Sequence, residues 1–217
     1  MNTPPLPVDV YEHIIDACDT AGHETSVLTW QGSRDDAYVT WRQTSLVCSA
    51  WLPRSQYNLF RDVKLLREIH VDLLVRTLLE KPPLADLVIK LTFKAAYLVG
   101  RPPYVPFARL PLPRLLKNCV ALDFQEIRWS YYPYRYADIS LYQFQSLALS
   151  HLSMRMDRVN VRAVLRFVWS LPLLQHLKLL YHGTPLRISA ITGVRGHRPC
   201  ANLLSLKLSV CAASQLS

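Results

Sequence analysis

Side chains capable of catalysis or metal binding are few and scattered in this sequence. The five cysteines and seven histidines share no ligand spacing, and His23-Glu24 lacks the second histidine of a zinc-protease helix. Neither a Gly-rich phosphate loop nor a Gly-x-Ser-x-Gly nucleophile turn is present. The sequence therefore predicts a protein that is not an enzyme, without catalytic residues, metal ligands or a cofactor.

Side chains suited to binding are more prominent. The segment RWSYYPYRY at 128–136 combines aromatic side chains with arginines, the types that most often dominate interface energies. It is predicted either to bind a partner or to fold back over the rest of the chain. The candidate contact residues are Trp129, Tyr131, Tyr132, Tyr134 and Arg135.

The composition is that of a globular protein that does not enter membranes. Half of the residues are apolar and 19% are charged. Charged residues interrupt every apolar run before it reaches the roughly 18 residues that a bilayer span needs, and the first residues do not resemble a secretory signal. Because the cysteines are odd in number and widely spaced, we expect buried, reduced thiols and a protein of the cytoplasm or nucleus.

Charge divides the chain into two parts. Residues 1–63 carry four Lys/Arg and eight Asp/Glu, a net charge of −4, whereas residues 64–217 carry twenty-one and eight, a net charge of +13. A split of this kind predicts two units with different partners. We therefore place one domain at 1–63, with a polar loop at about 20–38, and a second at 64–217.

The second part contains a repeated pattern. Six segments read apolar-x-x-apolar-x-apolar, and their last positions, 65, 93, 124, 149, 179 and 208, lie 28, 31, 25, 30 and 29 residues apart. The alternation within each segment predicts a strand with one buried face. Apolar residues at helical spacing predict helices at 68–81 and 158–172, whereas 101–118 and 185–200 are Pro-rich or weakly periodic and predict irregular returns.

Strand, return and strand at this interval resemble a leucine-rich-repeat solenoid, of a degenerate kind without the family's asparagine ladder. The alternative is an α/β domain in which six short strands recur by coincidence. The predicted fold class is thus mixed helix and strand, α+β or α/β, with short parallel strands. Because no polar cap follows the sixth segment, a truncated C-terminus is also compatible with the pattern.

Alternation within the strands turns the residues between the apolar positions to the other face of the sheet. In the fourth strand these residues are Ser146 and Ala148. The outward set is mildly basic and would attract an acidic or phosphorylated peptide, although lysines that only keep the sheet soluble are an equal alternative. The candidate substrate-binding residues on this face are Lys64, Lys90, His176, Lys178 and Lys207.

The first part is predicted to form three short helices. An apolar stripe runs through 6–18, a second helix is expected at 39–52, and a third at 53–60 begins with proline in its first turn. Three short helices in about 60 residues make a poor independent core. Their surplus of apolar side chains therefore indicates a binding partner.

This part resembles the F-box, particularly the form found in fungal proteins with trailing leucine-rich repeats. The resemblance rests on Leu6-Pro7, Ile14-Ile15, Val47-Cys48-Ser49-Ala50-Trp51 and Leu59-Phe60, in the family's order. The loop at 20–38 departs from the short turn that usually joins the first two F-box helices. The docking residues implied by the resemblance are Leu6, Pro7, Val10, Ile14, Ile15, Leu46, Val47, Trp51, Leu52, Leu59 and Phe60.

The resemblance implies a substrate adaptor that needs no catalytic group of its own. The F-box would dock on the Skp adaptor of a cullin–RING ubiquitin ligase of the SCF type, and the repeats would hold an unknown protein substrate. Two alternatives stay open: a repeat scaffold unconnected with a ligase, and a weak nucleic-acid-binding protein. The pI of 9.5 favours nucleic acid, but the basic residues are spread over about 150 positions without a run.

Overall fold

The protein folds as two compact units. A computed structural model describes residues 7–20, 39–94, 112–125, 127, 141, 143–157, 161–182 and 202–211. One unit comprises Met1–Asp62 and the other Val63–Ser217; we call them the helical unit and the sheet unit. Among the helices of the described ranges, none has the length and apolar character needed to cross a membrane.

Three helical segments make up the described part of the helical unit: α1 (Val8–Thr20), α2 (39–44) and α3 (Leu52–Arg61). The carbonyl of Pro7 accepts hydrogen bonds from the amides of Val10 and Tyr11, which closes the first turn of α1. A proline lies in the first turn of α3, where a helix has no use for the missing amide proton. The first and third helices predicted from the sequence are therefore present.

The second helix is shorter than the predicted 39–52, because it ends at residue 44. The amides of Leu46 and Val47 bond to carbonyls only three residues back, as in a 3₁₀ turn. At the same place the hydroxyl groups of Thr44 and Ser45 donate to the carbonyls of Trp41 and Arg42, at 3.0 and 2.7 Å. Hydroxyl side chains that occupy these carbonyls compete with the helix, and apolar periodicity does not register this competition.

The sheet unit contains a six-stranded parallel sheet whose strands lie in chain order. Helices and 3₁₀ turns connect the strands, so the predicted mixed α/β class is correct. The helical connections are α4 (Glu68–Glu80), α5 (Leu112–Leu115), α6 (Val161–Trp169) and 3₁₀ turns at Pro82–Leu87 and Gln143–Ser146. The strands are β1 (Asp62–Leu65), β2 (Lys90–Lys94), β3 (Ala121–Gln125), β4 (His151–Asp157), β5 (His176–His182) and β6 (Ser205–Cys211).

The predicted position of the fourth strand is wrong by five residues. Ser146 ends a 3₁₀ turn, Ala148 lies in irregular chain, and β4 begins only at His151. The observed apolar triplet is Leu149, Leu152 and Met154, which has the same spacing as the predicted one, and its last two members pair with Leu122 and Phe124 of β3. This leucine-rich segment contains two apolar triplets that could each form the strand, and pairing with β3 determines which of them does.

Two rows of apolar side chains run from β2 to β5 and form the buried face of the sheet. The prediction of a buried face is wrong for β6, because Leu206 and Leu208 are 54% and 64% exposed. Large buried residues of α4 and α6 add to this core, and Phe144 packs edge-on against Phe93 and Phe124 at 5.7 and 5.9 Å between ring centroids. In α4 the buried positions include Leu74 and Leu78, while Ile69 is exposed. The rows are Leu91–Leu122–Leu152–Leu177 and Phe93–Phe124–Met154–Leu179.

Candidate functional site

The described part of the helical unit has a small apolar core. Ile15 of α1 and Trp41 of α2 are buried, and Trp51 and Leu59 pack against them while remaining partly exposed. The ring of Tyr11 lies 5.8 Å from the ring of Trp51, which ties α1 to the turn before α3. So few buried side chains leave most of the apolar residues in the described part of this unit outside the core.

Polar contacts add to this core. The guanidinium group of Arg54 in α3 pairs with the Asp16 carboxylate in α1 through two nitrogens, one of them at 2.8 Å, and Asn58 donates to the same carboxylate at 3.1 Å. The hydrogen bond from Arg54, supported by Asn58, lowers the pKa of Asp16 against the opposing effect of burial. These bonds join the first and third helices.

A buried hydroxyl pair joins α2 to α3. Thr44 Oγ1 and Ser55 Oγ lie 2.9 Å apart, and both side chains are buried. Because Thr44 gives its only hydroxyl proton to the Trp41 carbonyl, Ser55 must be the donor to Thr44. The three helical segments are thus held together by one small core and two polar contacts.

Among the described residues of the helical unit, seven large aliphatic side chains are exposed. Leu46 and Val47, in the turns between α2 and α3, are 81% and 62% exposed, and Ile14 on α1 is 43% exposed. Exposed aliphatic residues at this density are typical of interaction surfaces. The set, which we call the aliphatic surface, is Val8, Val10, Ile14, Val39, Leu46, Val47 and Leu52.

The residues predicted to dock an adaptor divide into two groups. Ile15 is completely buried and packs internally, and Trp51, Leu59 and Phe60 are half-buried. Leu6 lies outside the described residues. The exposed members are Pro7, Val10, Ile14, Leu46, Val47 and Leu52.

Sequence reasoning missed three residues that belong to this unit's core or surface. Val8 and Val39 are exposed and Trp41 is a core residue, although all three lie within segments that were predicted to be helical. The spacing from Trp41 to Thr44, which places both on one side of α2, is the signal that identifies them. Cys48 is an exposed free thiol, contrary to the prediction that the thiols are buried, whereas Cys119 is buried and free as predicted.

The second candidate site is the outward face of the sheet. Backbone register places His151 beside His176, and Lys178 beside Lys207, on strands β4 to β6. The two imidazole rings stack at 4.4 Å between centroids. His176, Lys178 and Lys207 were predicted from the sequence to lie on this face. His151 was not, because β4 was predicted five residues too early.

The other predicted substrate residues are only partly placed. Lys64 and Lys90 are half-buried, on β1 and β2. The aromatic segment at 128–136, with Trp129, Tyr131, Tyr132, Tyr134 and Arg135, lies outside the described residues. Within the described ranges, no group of three or more His, Cys, Asp or Glu side chains has the arrangement of a metal site.

The electrostatics of the outward face are dominated by positive and titratable groups. Burial, and then the neighbouring His176, lower the pKa of His151, because each disfavours its charged form. The acidic side chain of Asp123 on β3 accepts a hydrogen bond from Gln125 at 2.6 Å. Such a face suits a negatively charged binding partner.

Known proteins add no further information about either surface. No family model, no curated protein and no solved structure matches the chain. What the protein does must therefore be inferred from the aliphatic surface, the outward face of the sheet and the order of the sequence motifs.

Proposed function

We propose that the protein is the substrate-recognition adaptor of an SCF-type cullin–RING ubiquitin ligase. The helical unit would act as the F-box and dock on a Skp-type adaptor, and the sheet unit would hold a protein substrate. The observation that carries the proposal is the balance of apolar residues in the described part of the helical unit. It buries two of them, Ile15 and Trp41, and exposes the seven of the aliphatic surface.

The energetics favour a partner for that surface. Complete burial of a Val, Leu or Ile side chain contributes roughly 1.5–3 kcal/mol relative to its exposed state. Leu46 and Val47 together therefore offer about 3 kcal/mol or more to an interface. A polar replacement of either residue gives up this contribution without opening a cavity in the unit.

We also propose that the sheet unit is a leucine-rich-repeat-like solenoid. Support comes from one hydrogen-bond arrangement that recurs along the chain: a carbonyl before each strand accepts the amides of two consecutive residues one repeat later. The amides that share one carbonyl are those of Val120 and Ala121, Ser150 and His151, Gln175 and His176, and Leu204 and Ser205. The accepting carbonyls belong to Ile89, Val120, Ser150 and Gln175.

Two asparagines strengthen the case for repeats. Asn118 donates from its side chain to the carbonyl of Asp86 at 2.9 Å, and Asn202 donates to the carbonyl of Pro172 at 2.9 Å. Each asparagine stands three residues before a strand and reaches back about one repeat. A contact that recurs between neighbouring turns is what a stacked-repeat architecture requires.

The test is co-expression with a Skp-type adaptor, followed by co-purification at moderate salt. The informative variant is Leu46→Asp/Val47→Asp, since both side chains are exposed and neither supports the core. The matched control is Ile69→Asp/Leu79→Asp, which places the same charges at exposed aliphatic positions of α4. We expect the wild type and the control to bind the adaptor and the Leu46/Val47 variant to lose binding.

Two outcomes would overturn the proposal. If the wild-type chain is purified as a folded monomer that ignores the adaptor, a repeat scaffold unconnected with a ligase becomes the better interpretation. If both variants bind as well as the wild type, the aliphatic surface does not dock the adaptor. Far-UV circular dichroism of each variant verifies that lost binding is not lost folding.

A further inference from the structure

Two lysines lie side by side on the outward face of the sheet unit. Lys178 of β5 and Lys207 of β6 are register partners, and adjacent strands are about 4.8 Å apart. Like charges placed directly opposite each other on a sheet destabilise it. An arrangement that opposes folding is commonly associated with function, here with an anion that bridges the two ammonium groups.

The histidine pair occupies the row next to these lysines. His176 is two residues before Lys178 on the same strand face, and its ring stacks on that of His151. The hydroxyl of Ser150 lies 2.8 Å from Nδ1 of His151. Because the two rings are in contact, charge on one disfavours charge on the other unless an anion compensates for it.

The other groups around the histidine pair are mostly cationic. Lys90 of β2 shares the row of His151, with Ala121 between them, and Arg155 lies on β4 itself. Asp62 of β1 and Asp123 of β3 bring carboxylates to the same face, and Ser153 lies between Asp123 and Lys178; Asp157, at the end of β4, is the register partner of His182. The lysine pair therefore has no carboxylate next to it in its own row.

We propose that Lys178, Lys207, His151 and His176 form a binding site for a phosphate monoester, and that the histidine pair takes up a proton when the phosphate binds. The inference deepens the proposed function, on which it rests for the expectation that the ligand belongs to a protein substrate, such as a phosphoserine side chain. The site itself requires no ligase.

Phosphate fits this site better than a carboxylate does. A phosphate monoester carries close to two negative charges near neutral pH and presents three acceptor oxygens, which match two ammonium groups and an imidazolium. A carboxylate offers one charge to the same four groups. Two lysines about 4.8 Å apart can both reach one tetrahedral anion.

The direction in which affinity changes with pH follows from the pKa values of histidine and of the phosphate. The unperturbed pKa of histidine is about 6.5; the pKa of His151 is lowered by burial and by His176, so His151 is mainly neutral at pH 7.5. The second pKa of a phosphate monoester is about 6, so the dianion persists as the pH falls to 6.5. Affinity should therefore rise between pH 7.5 and 6.5, by up to about fivefold for one full added charge near 4 Å in a water-like medium.

The experiment uses the full chain and three fluorescein-labelled Gly/Ser peptides, which carry one phosphoserine, one glutamate or one serine. Fluorescence anisotropy at pH 7.5 and 6.5 measures affinity, and the Cε1–Hε1 resonances of the histidines in NMR spectra report protonation. We expect only the phosphopeptide to bind, to bind more tightly at pH 6.5, and to shift the titration of both histidines to higher pH. Inorganic phosphate, added as a competitor, should displace it.

Matched variants localise the site. Lys178→Gln/Lys207→Gln should weaken binding by about 25-fold, because two charges are lost at about fivefold each. Lys81→Gln/Lys117→Gln removes the same net charge at two exposed positions outside the strands and should change affinity less than about twofold. His151→Gln/His176→Gln should abolish the increase in affinity between pH 7.5 and 6.5, because a glutamine side chain does not titrate.

Several results would overturn the inference. Equal binding of the glutamate peptide, or equal losses in the two lysine variants, would indicate general charge attraction instead of a site. A short RNA that binds more tightly than the phosphopeptide, without the pH effect, would identify the face as a nucleic-acid surface. Because no adaptor is present, failure here leaves the co-purification test untouched, and failure of co-purification leaves this site standing.

Discussion

Neighbouring isoleucines on α1 offer the sharpest test of how the helical unit is built. Ile15 is 0% exposed in the core with Trp41, whereas Ile14 is 43% exposed on the aliphatic surface. We compare Ile15→Ala with Ile14→Ala, two changes that are identical in chemistry and adjacent in sequence. One should damage folding, and the other should damage only binding.

The magnitudes follow from burial. The change from isoleucine to alanine removes three carbon groups, worth about 0.8 kcal/mol each when buried, so Ile15→Ala should cost about 2.4 kcal/mol plus a cavity contribution, or about 3 kcal/mol in total. Ile14→Ala opens no closed cavity and gains helix propensity, so its cost should stay below about 1 kcal/mol. A unit of this size has a total stability of roughly 3–9 kcal/mol.

Hydrogen exchange measured by mass spectrometry reads each unit separately within the full chain. In Ile15→Ala, protection of amides in α1 and α3 should fall by about 150-fold, the equivalent of 3 kcal/mol. In Ile14→Ala it should fall less than about fivefold, and amides of β2 to β5 should be unaffected in both. Equal losses in the two variants, or an intact α1 in Ile15→Ala, would refute the assignment of Ile15 to the core.

Three further predictions concern single contacts. Ser55→Ala should lower the stability of the helical unit by about 1 kcal/mol in urea unfolding, because Thr44 loses its buried donor; an unchanged midpoint would contradict that pairing. Asp16→Asn should cost about 0.5–1 kcal/mol at pH 7, discounted for partial exposure. Since pairing with Arg54 lowers the pKa of Asp16 in the folded state, the wild-type advantage is complete above the unfolded value of about 3.9 and disappears as the pH falls through the folded value. Phe124→Ala should cost about 3–5 kcal/mol in the sheet unit, measured by thermal unfolding, and a loss below 1 kcal/mol would mean that the aromatic cluster is not tightly packed.

Local patterns in the sequence were sufficient for most helices and strands. The helix predicted at 68–81 is present as Glu68–Glu80, and five of the six predicted strand frames coincide with observed strands. For β1, β2, β3 and β5 the predictions succeeded because apolar periodicity reflects which side of a strand is buried. In β6 the same periodicity accompanies a strand whose leucines are exposed. The predicted end of the second helix was wrong. The hydroxyl groups of Thr44 and Ser45 bond to backbone carbonyls and end the helix there, although the apolar periodicity continues.

The candidate surfaces were less predictable than the elements. Ile14 and Ile15 are equivalent in composition, and only the packing of α1 against Trp41 separates an exposed residue from a core residue. His151 was missed because its strand was placed five residues too early. The stack of His151 on His176 depends on pairing between strands that lie 25 residues apart in sequence, and no local pattern encodes it.

Local sequence patterns are enough to predict mixed helix and strand, apolar triplets at near-constant intervals and a change of charge near residue 63. These are properties of neighbouring residues, since alternation and helical spacing act over a few positions. Contacts between distant parts of the chain set the frame of β4 and the juxtaposition of Lys178 with Lys207. Each of these depends on contacts between residues distant in sequence, whose free energy is realised only when the chain is folded.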